Sequence, residues 1–455
     1  PEFEGRQIGT PGGDAAADWI AQQFEELGLV TAGEDWTYFQ TLPAYLPTMT
    51  EPSRLQAWDD DGKAIPLTWG ADYVEAPQVF EREAAQVEGD LIYVAAEGID
   101  RYDIGAMRRA LGITDDEAER RDKILLLDAV DIWIGTPVHN VFSQDPLPSV
   151  RCRVMLIIED DAEALLRRDL PGLGLQTEQV GIGRGPAVFY VSRETADRLL
   201  AGSGHTVAEL RARRAALTEG QGFYVPAGAR AEADISAVTN EDMTYRNVLG
   251  VWPGYDTALD AEMVIISAYY DGLGTFGGVL YPGANDNASG VATMLELIRS
   301  WKEAGFRPKR TVLFVAWAGG ERYAKPDIDT WLSARAGMDT LKTLAVFELE
   351  GVAAGEGDAA LLWRCSSERV SGMVQMAARK LSLPLTIQGE GLHAVQLSSE
   401  QVDTDHPRLV LGWPGADANT HVPTDTPGTL DPDKMESVGR ILSLVTAVMV
   451  MDTAY

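Results

Sequence analysis

The chain has 455 residues, of which 45% are hydrophobic, enough for buried cores in two or three domains. Its 69 Asp and Glu against 38 Lys and Arg give a formal charge of −31, an acidic surface that repels nucleic acid and anionic membranes. Two cysteines, Cys152 and Cys365, cannot build a disulfide framework and read as free thiols. The longest apolar run, "ILSLVTAVMVM", follows Arg440 and falls short of the roughly 18 residues of a membrane span.

The first element is a helix within "GTPGGDAAADWIAQQFEELGL". Asp14 reads as its cap, and Ala16, Ile20, Phe24 and Leu27 fall on one face. Strand-like segments and turns follow to about residue 65. Between 66 and 240 the short apolar runs "DLIYVAAEG", "KILLLDAV", "RVMLIIED" and "AVFYVSRE" read as buried strands. They alternate with the charged helical patterns "TDDEAERRD" and "TVAELRARRAALTEG". This stretch reads as an α/β module of its own, structural or substrate-shaping, with no dense cluster of His, Cys or acidic residues.

From 245 onward strand and helix alternate. "MVIISA", "TVLFVAW", "TLAVFELE" and "RLVLGW" read as strands. "ASGVATMLELIRSWKEAG" reads as a helix with Val291, Leu295, Ile298 and Trp301 on one face. "DPDKMESVGRILSLVTAVMV" closes the chain as a helix, with Asp431 as cap and Pro432 in its first turn. Such alternation implies a largely parallel sheet between helices.

In an open α/β sheet, ligands bind beyond the carboxyl ends of the strands. Acidic residues stand just beyond each strand here. Tyr269, Tyr270 and Asp271 come after the first; Asp286 comes just before a helix. Glu321 comes after "TVLFVAWAGG"; Glu348 and Glu350 end the next strand; Asp417, His421 and Asp425 lie beyond the last. Converging carboxylates repel, and their pKa values rise unless a cation neutralises them. A divalent metal is the economical solution, and Asp, Glu and His suit zinc. Each residue has an ordinary alternative. Asp286 could cap its helix, Glu321 could pair with Arg322, Glu348 and Glu350 could be strand-end charges, and His421 could be a loop histidine. Trp317 and Tyr323 could line a pocket or simply pack. Placement after successive strands favours a common site.

The segments "GANDNASGVATMLELIR", "RPKRTVLFVAWAGGE" and "THVPTDTP" resemble the co-catalytic zinc peptidases of the bacterial leucyl aminopeptidase and glutamate carboxypeptidase II type, metallopeptidase family 28 of clan MH. "EGRQIGTPGGDAAADWIAQQFEELGL" resembles the opening helix of that family, and "RNVLGVWPG" the strand leading into its catalytic half. The resemblance implies a three-layer α/β/α zinc-peptidase-like fold with a mostly parallel mixed sheet, formed by residues 1–65 and 241–455. Residues 66–240 would be an inserted, smaller α/β or β-rich module like the protease-associated domain. It also implies two zinc ions bridged by Asp286. One would be completed by Glu321 and His421, the other by residues at positions 269 and 350, and position 320 would hold the general base.

At three of these positions the chain departs from the pattern. Tyr269 replaces the early histidine, Glu350 a shorter aspartate, and Gly320 the base. A positioned base contributes about 10²–10⁴-fold in rate, and a tyrosine with a reference pKa of about 10 is a poor zinc ligand. The expectation is therefore a homologue with a degraded di-metal site holding one zinc at most, used for binding or assembly with a peptide or protein ligand. The transferrin receptor is the family analogy for such a loss of chemistry. The alternative is an active mononuclear or altered-metal aminopeptidase, with Glu350 or Glu348 as substitute proton acceptor. The resemblance further implies an extracellular or periplasmic location, and the charge leaves self-association open.

Overall fold

The computed structural model describes residues 2–43, 52–75, 85–99, 103–112, 123–128, 130–131, 154–160, 187–235, 244–321, 342–365, 367–388, 407–413 and 419–453. They form two compact units. One comprises Pro1–Ala44 and Asp242–Tyr455, the other Tyr45–Glu241. The strands Arg54–Asp59 and Ala64–Ile65 pair into the sheet of the second unit, upstream of the boundary at 65 drawn from the sequence.

The first unit is built on a nine-stranded mixed sheet. At its centre, Thr311–Trp317, Glu262–Tyr269, Lys342–Leu349 and Arg408–Gly412 run parallel in that order. Thr244–Trp252 flanks them antiparallel on one side and Ala360–Cys365 on the other. The central strands are apolar at successive positions, as the runs in the sequence require. Met263, Val264, Ile265 and Ile266 are all buried, although neighbours in a strand point to opposite faces. The sheet is therefore covered on both sides, the usual setting for parallel strands.

The helices Pro11–Leu27, Ser289–Glu303, Pro432–Met451 and Glu368–Leu381 lie side by side in that spatial order. The last helix is capped as its sequence reads, with Asp431 accepting from the backbone N–H of Asp433 and Pro432 in the first turn. The first helix corrects the expected cap. Thr10, not Asp14, accepts from the N–H of Gly13, because Pro11 fixes the helix start one residue after the threonine. Asp14 sits in the first turn, where its charge suits the helix dipole, and it pairs with Arg246 at 3.3 Å. Among the described residues no helix is long and apolar enough to cross a membrane.

The second unit holds an eight-stranded sheet in which Ala85–Glu97, Lys123–Asp128, Val154–Glu159 and Ala187–Ser192 run parallel, each containing an expected strand. Leu91, Tyr93, Leu126 and Leu156 pack on one face, and Ile92, Val94, Leu127 and Ile157 on the other. Charges at this unit's strand ends are matched internally. Arg211 reaches Asp128 at 2.7 Å and Asp160 at 2.8 Å, and Arg214 reaches Asp131 at 2.8 Å. "TDDEAERRD", Cys152, Asp417, Arg322 and Tyr323 lie outside the described residues, as does the side chain of Cys365.

Candidate metal centre

The parallel strands of the first unit deliver their carboxyl ends to one edge, and the acidic residues meet there. Asp286, Glu321 and His421 bring ligand atoms within 4.8 Å of one another, the one such group of three or more potential ligands among the described residues. His421 Nε2 lies 3.0 Å from Asp286 Oδ2 and 3.5 Å from Glu321 Oε2. These separations suit donors that share one cation, since tetrahedral zinc with bonds of about 2.0–2.1 Å has edges of roughly 3.3–3.4 Å. The donor set therefore fits a divalent metal. A small recess beside it is lined by Leu273, Tyr281, Gly283, Val422 and Asp425 as well as by the group itself.

Each member is held by the backbone around it. Asp286 does not cap the following helix. That helix begins at Ser289 after Ala288, with no side-chain cap, while Asp286 sits in a turn with extended dihedrals. The peptide bond between Asp286 and Asn287 is cis. The N–H groups of Asn285 and Asp286 donate to the buried Asp425 carboxylate at 2.8 and 3.1 Å, which fixes the turn. Glu321 follows the strand Thr311–Trp317 through Ala318, Gly319 and Gly320. Asp271 accepts from the N–H groups of Gly320 and Glu321 at 2.9 and 3.3 Å, and Asn247 accepts from Ala318 at 2.9 Å. His421 occupies a left-handed backbone conformation in its loop, φ +60°.

Tyr269 ends the strand Glu262–Tyr269 and aims its hydroxyl at the centre, where it donates to Asp286 Oδ1. Burial, and then the charges of Asp286, Glu350 and Glu321, push the phenol far above its ordinary range. It stands there as a neutral donor, and one oxygen of the expected bridging carboxylate is engaged by it. The same ring explains the glycine beside Glu321. A Cβ at position 320 would lie 2.3 Å from Cγ of Tyr269 and 2.4 Å from its Cβ, closer than any real contact.

The electrostatics are those of crowded, buried carboxylates. Burial opposes ionisation of Asp286, but His421, Tyr269 and Arg6 outweigh it and hold this group below the usual carboxylate range. Burial, reinforced by Asp286, pushes Glu321 up to about 7. Burial likewise pushes Asp271 to about 7 against the pull of its two N–H partners.

The remaining acidic candidates do not join the three residues at common ligand distance. Glu348 is buried and paired with Arg408 at 2.5 Å, which commits its charge to the neighbouring strand. Glu350 follows the strand Lys342–Leu349 and bears on Tyr269 electrostatically, but it is not among the three residues at common ligand distance. Trp317 is fully buried in the sheet core. Arg6 and Asn247 received no role from the sequence, and Asp425, placed there among the converging acids, turns out to hold the Asp286 turn through its backbone N–H partners. The only hint for Arg6 was its place in "EGRQIGTPGG", because all its partners lie more than 260 residues away.

Residues 247–446 match the family model for peptidase family M28. The chain is 33% identical over 97 residues to transferrin receptor protein 2 of Rattus norvegicus, covering 21% of this chain and 11% of that protein. It is 36% identical over 101 residues to the uncharacterized protein YfbL of Escherichia coli K12, covering 22% of this chain and 29% of that one. The chain thus spans less than a third of these curated relatives' lengths. An aminopeptidase from Aneurinibacillus sp. strain AM-1 superposes with a TM-score of 0.61 at 17% identity, covering 98% of this chain and 90% of that one. The zinc aminopeptidase BSAP from Bacillus subtilis superposes with 0.61 at 16% identity, covering 99% and 92%. The mixed α/β architecture is that of these aminopeptidases. The segment that carries Asp286, Glu321 and His421 lies within the part of the chain that matches peptidase family M28.

Proposed function

We propose that this protein is an M28 relative in which the di-metal centre is reduced to one metal position, so that peptidase turnover is lost or severely impaired and the fold serves binding. The observation that carries the reading is the interlock of Tyr269, Gly320 and Asp286. The phenol stands where the family resemblance expects a metal-binding histidine, and it engages one oxygen of the bridging aspartate. Its ring fills the space in which a general base at 320 would start. Asp286, Glu321 and His421 would hold one zinc ion, which when bound supplies Lewis-acid polarisation and a more acidic water. Among the described residues, Glu350, an expected substitute base, does not share common ligand distance with these three. The side-chain base expected next to Glu321 is missing, Glu348 is committed to Arg408, and Tyr269 holds its proton.

What remains is a recess with apolar walls from Leu273, Tyr281 and Val422 and an acidic floor. The ligand class on this reading, a peptide or protein, comes from the family resemblance. The second unit, on this reading, is a module of the protease-associated type, and the protein works outside the cytoplasm. The test is hydrolysis of aminoacyl and short peptide substrates by zinc-loaded protein. The reading expects turnover at least ~10²-fold below an ordinary aminopeptidase, the minimum for a missing base. Metal-dependent turnover of about 1–10³ s⁻¹, the range of ordinary enzymes, would overturn it.

A further inference from the structure

Arg6 is delivered to the centre by a tightly bent segment. Glu4, Gly5 and Arg6 all have positive φ, at 44°, 76° and 58°, a costly conformation for non-glycine residues. The half-buried guanidinium then donates to three backbone carbonyls: Tyr270 O at 2.6 Å, Pro282 O at 2.6 Å and Gly283 O at 2.7 Å. The first lies between Tyr269 and Asp271. The other two lie just before the turn that carries Asp286. Among the described residues no carboxylate pairs directly with it. Burial opposes its charge most, while Glu321, Asp271, Asp286 and Asp425 all favour it, and the oxygens of Asp271 and Asp425 are occupied by backbone N–H groups.

We infer that Arg6 is a positioning residue that serves as the resident counter-cation of this carboxylate cluster, bracing its two loops and keeping the cluster assembled while no metal is bound. A fixed cation shared by four carboxylates offsets their mutual repulsion without using any oxygen that a metal would need. It also repels an incoming metal, so Arg6 and the metal act antagonistically. This rests on the one-metal reading above, and the measurements separate the two.

Thermal melts of wild type, Arg6→Met and Arg6→Lys, each in chelator and in excess zinc, make the test, with zinc affinity measured by competition against a chromophoric chelator. Arg6→Met loses most stability in chelator, so its zinc-induced rise in melting temperature exceeds that of wild type and its zinc affinity rises about tenfold or more as the repulsion is removed. Arg6→Lys keeps the charge but not the fork. It melts lower in both states with a zinc-induced rise like that of wild type. A zinc-induced rise in Arg6→Met equal to or smaller than wild type would make Arg6 a scaffold residue only and overturn the inference. An enlarged rise in Arg6→Lys would do the same by removing charge as the cause. If Arg6→Met does not fold without zinc, recovery of the fold on zinc addition supports the inference, and failure in both states together with a wild-type-like Arg6→Lys overturns it. No zinc binding by wild type would instead remove the one-metal reading itself.

Discussion

A side chain at position 320 and the ring of Tyr269 exclude one another: an added Cβ would sit 2.3 Å from Cγ of the tyrosine. The glycine is therefore more than a missing base. It is what lets the turn after Thr311–Trp317 lie against residue 269. The turn is not free to retreat, because Asp271 and Asn247 hold its N–H groups.

Gly320→Ala should accordingly destabilise the protein by about 1–3 kcal/mol, the range for overpacking a tight site. Gly320→Glu should cost at least as much, and Tyr269→His should not fully rescue it, since Cβ of residue 269 lies 2.4 Å from the added atom and histidine retains it. Denaturant melts measure this, and a neutral Gly320→Ala would contradict the packing account.

Tyr269→Phe keeps the ring and removes the donor to Asp286 Oδ1. Leaving that buried carboxylate oxygen without the phenol should cost about 1–3 kcal/mol in the metal-free protein. Zinc, which neutralises the same carboxylate, should recover much of the loss. An equal loss with and without zinc would argue that the hydroxyl matters to packing and not to the centre.

The pH dependence of the metal-free protein has a definite sign. Glu321 and Asp271 ionise near 7 when folded, against ordinary values of 4.5 and 3.8. The folded chain then binds more protons than the unfolded chain between about pH 4 and 7, so stability falls as pH rises through that window. Asp286 works the other way, but only below its ordinary value of 3.8. Melts in chelator from pH 4.5 to 7.5 should show the fall. Glu321→Gln should flatten it, and excess zinc should reduce it. An unchanged slope in Glu321→Gln would exclude Glu321 as a cause.

Much of this centre was readable in the sequence because it depends on local order. An apolar run ending in "AGGE", "GANDNASG" before a helix and "THVPTDTP" after the last strand each put a candidate ligand just beyond a strand or turn. The supporting contacts were not readable, because they act across the fold. Asn247 reaches Ala318 and Asp425 reaches Asn285 over 71 and 140 residues. Tyr269 and Gly320 were each legible as departures from the family pattern. Their contact was not, since it depends on how closely two adjacent strand ends approach. The helix cap misread as Asp14 has a plainer cause: Thr10 precedes Pro11, and the proline marks the start more firmly than the acid does.

Asp271 and Asn247 should matter to the centre through the turn that carries Glu321. Asp271→Ala leaves two N–H groups without their acceptor and should weaken zinc binding about 10–100-fold, as loss of a residue that orients a metal ligand does. Calorimetric titration of the folded variant with zinc checks this, and an unchanged affinity would show that the turn is held by other means.

The most direct measurement is the zinc content of the wild-type chain after equilibrium dialysis against a defined free-zinc concentration, with His421→Ala as control. The interlock of Tyr269, Gly320 and Asp286 predicts one zinc per wild-type chain and none in the control. Two zinc ions per wild-type chain would contradict it, because the second position could then not be closed by Tyr269.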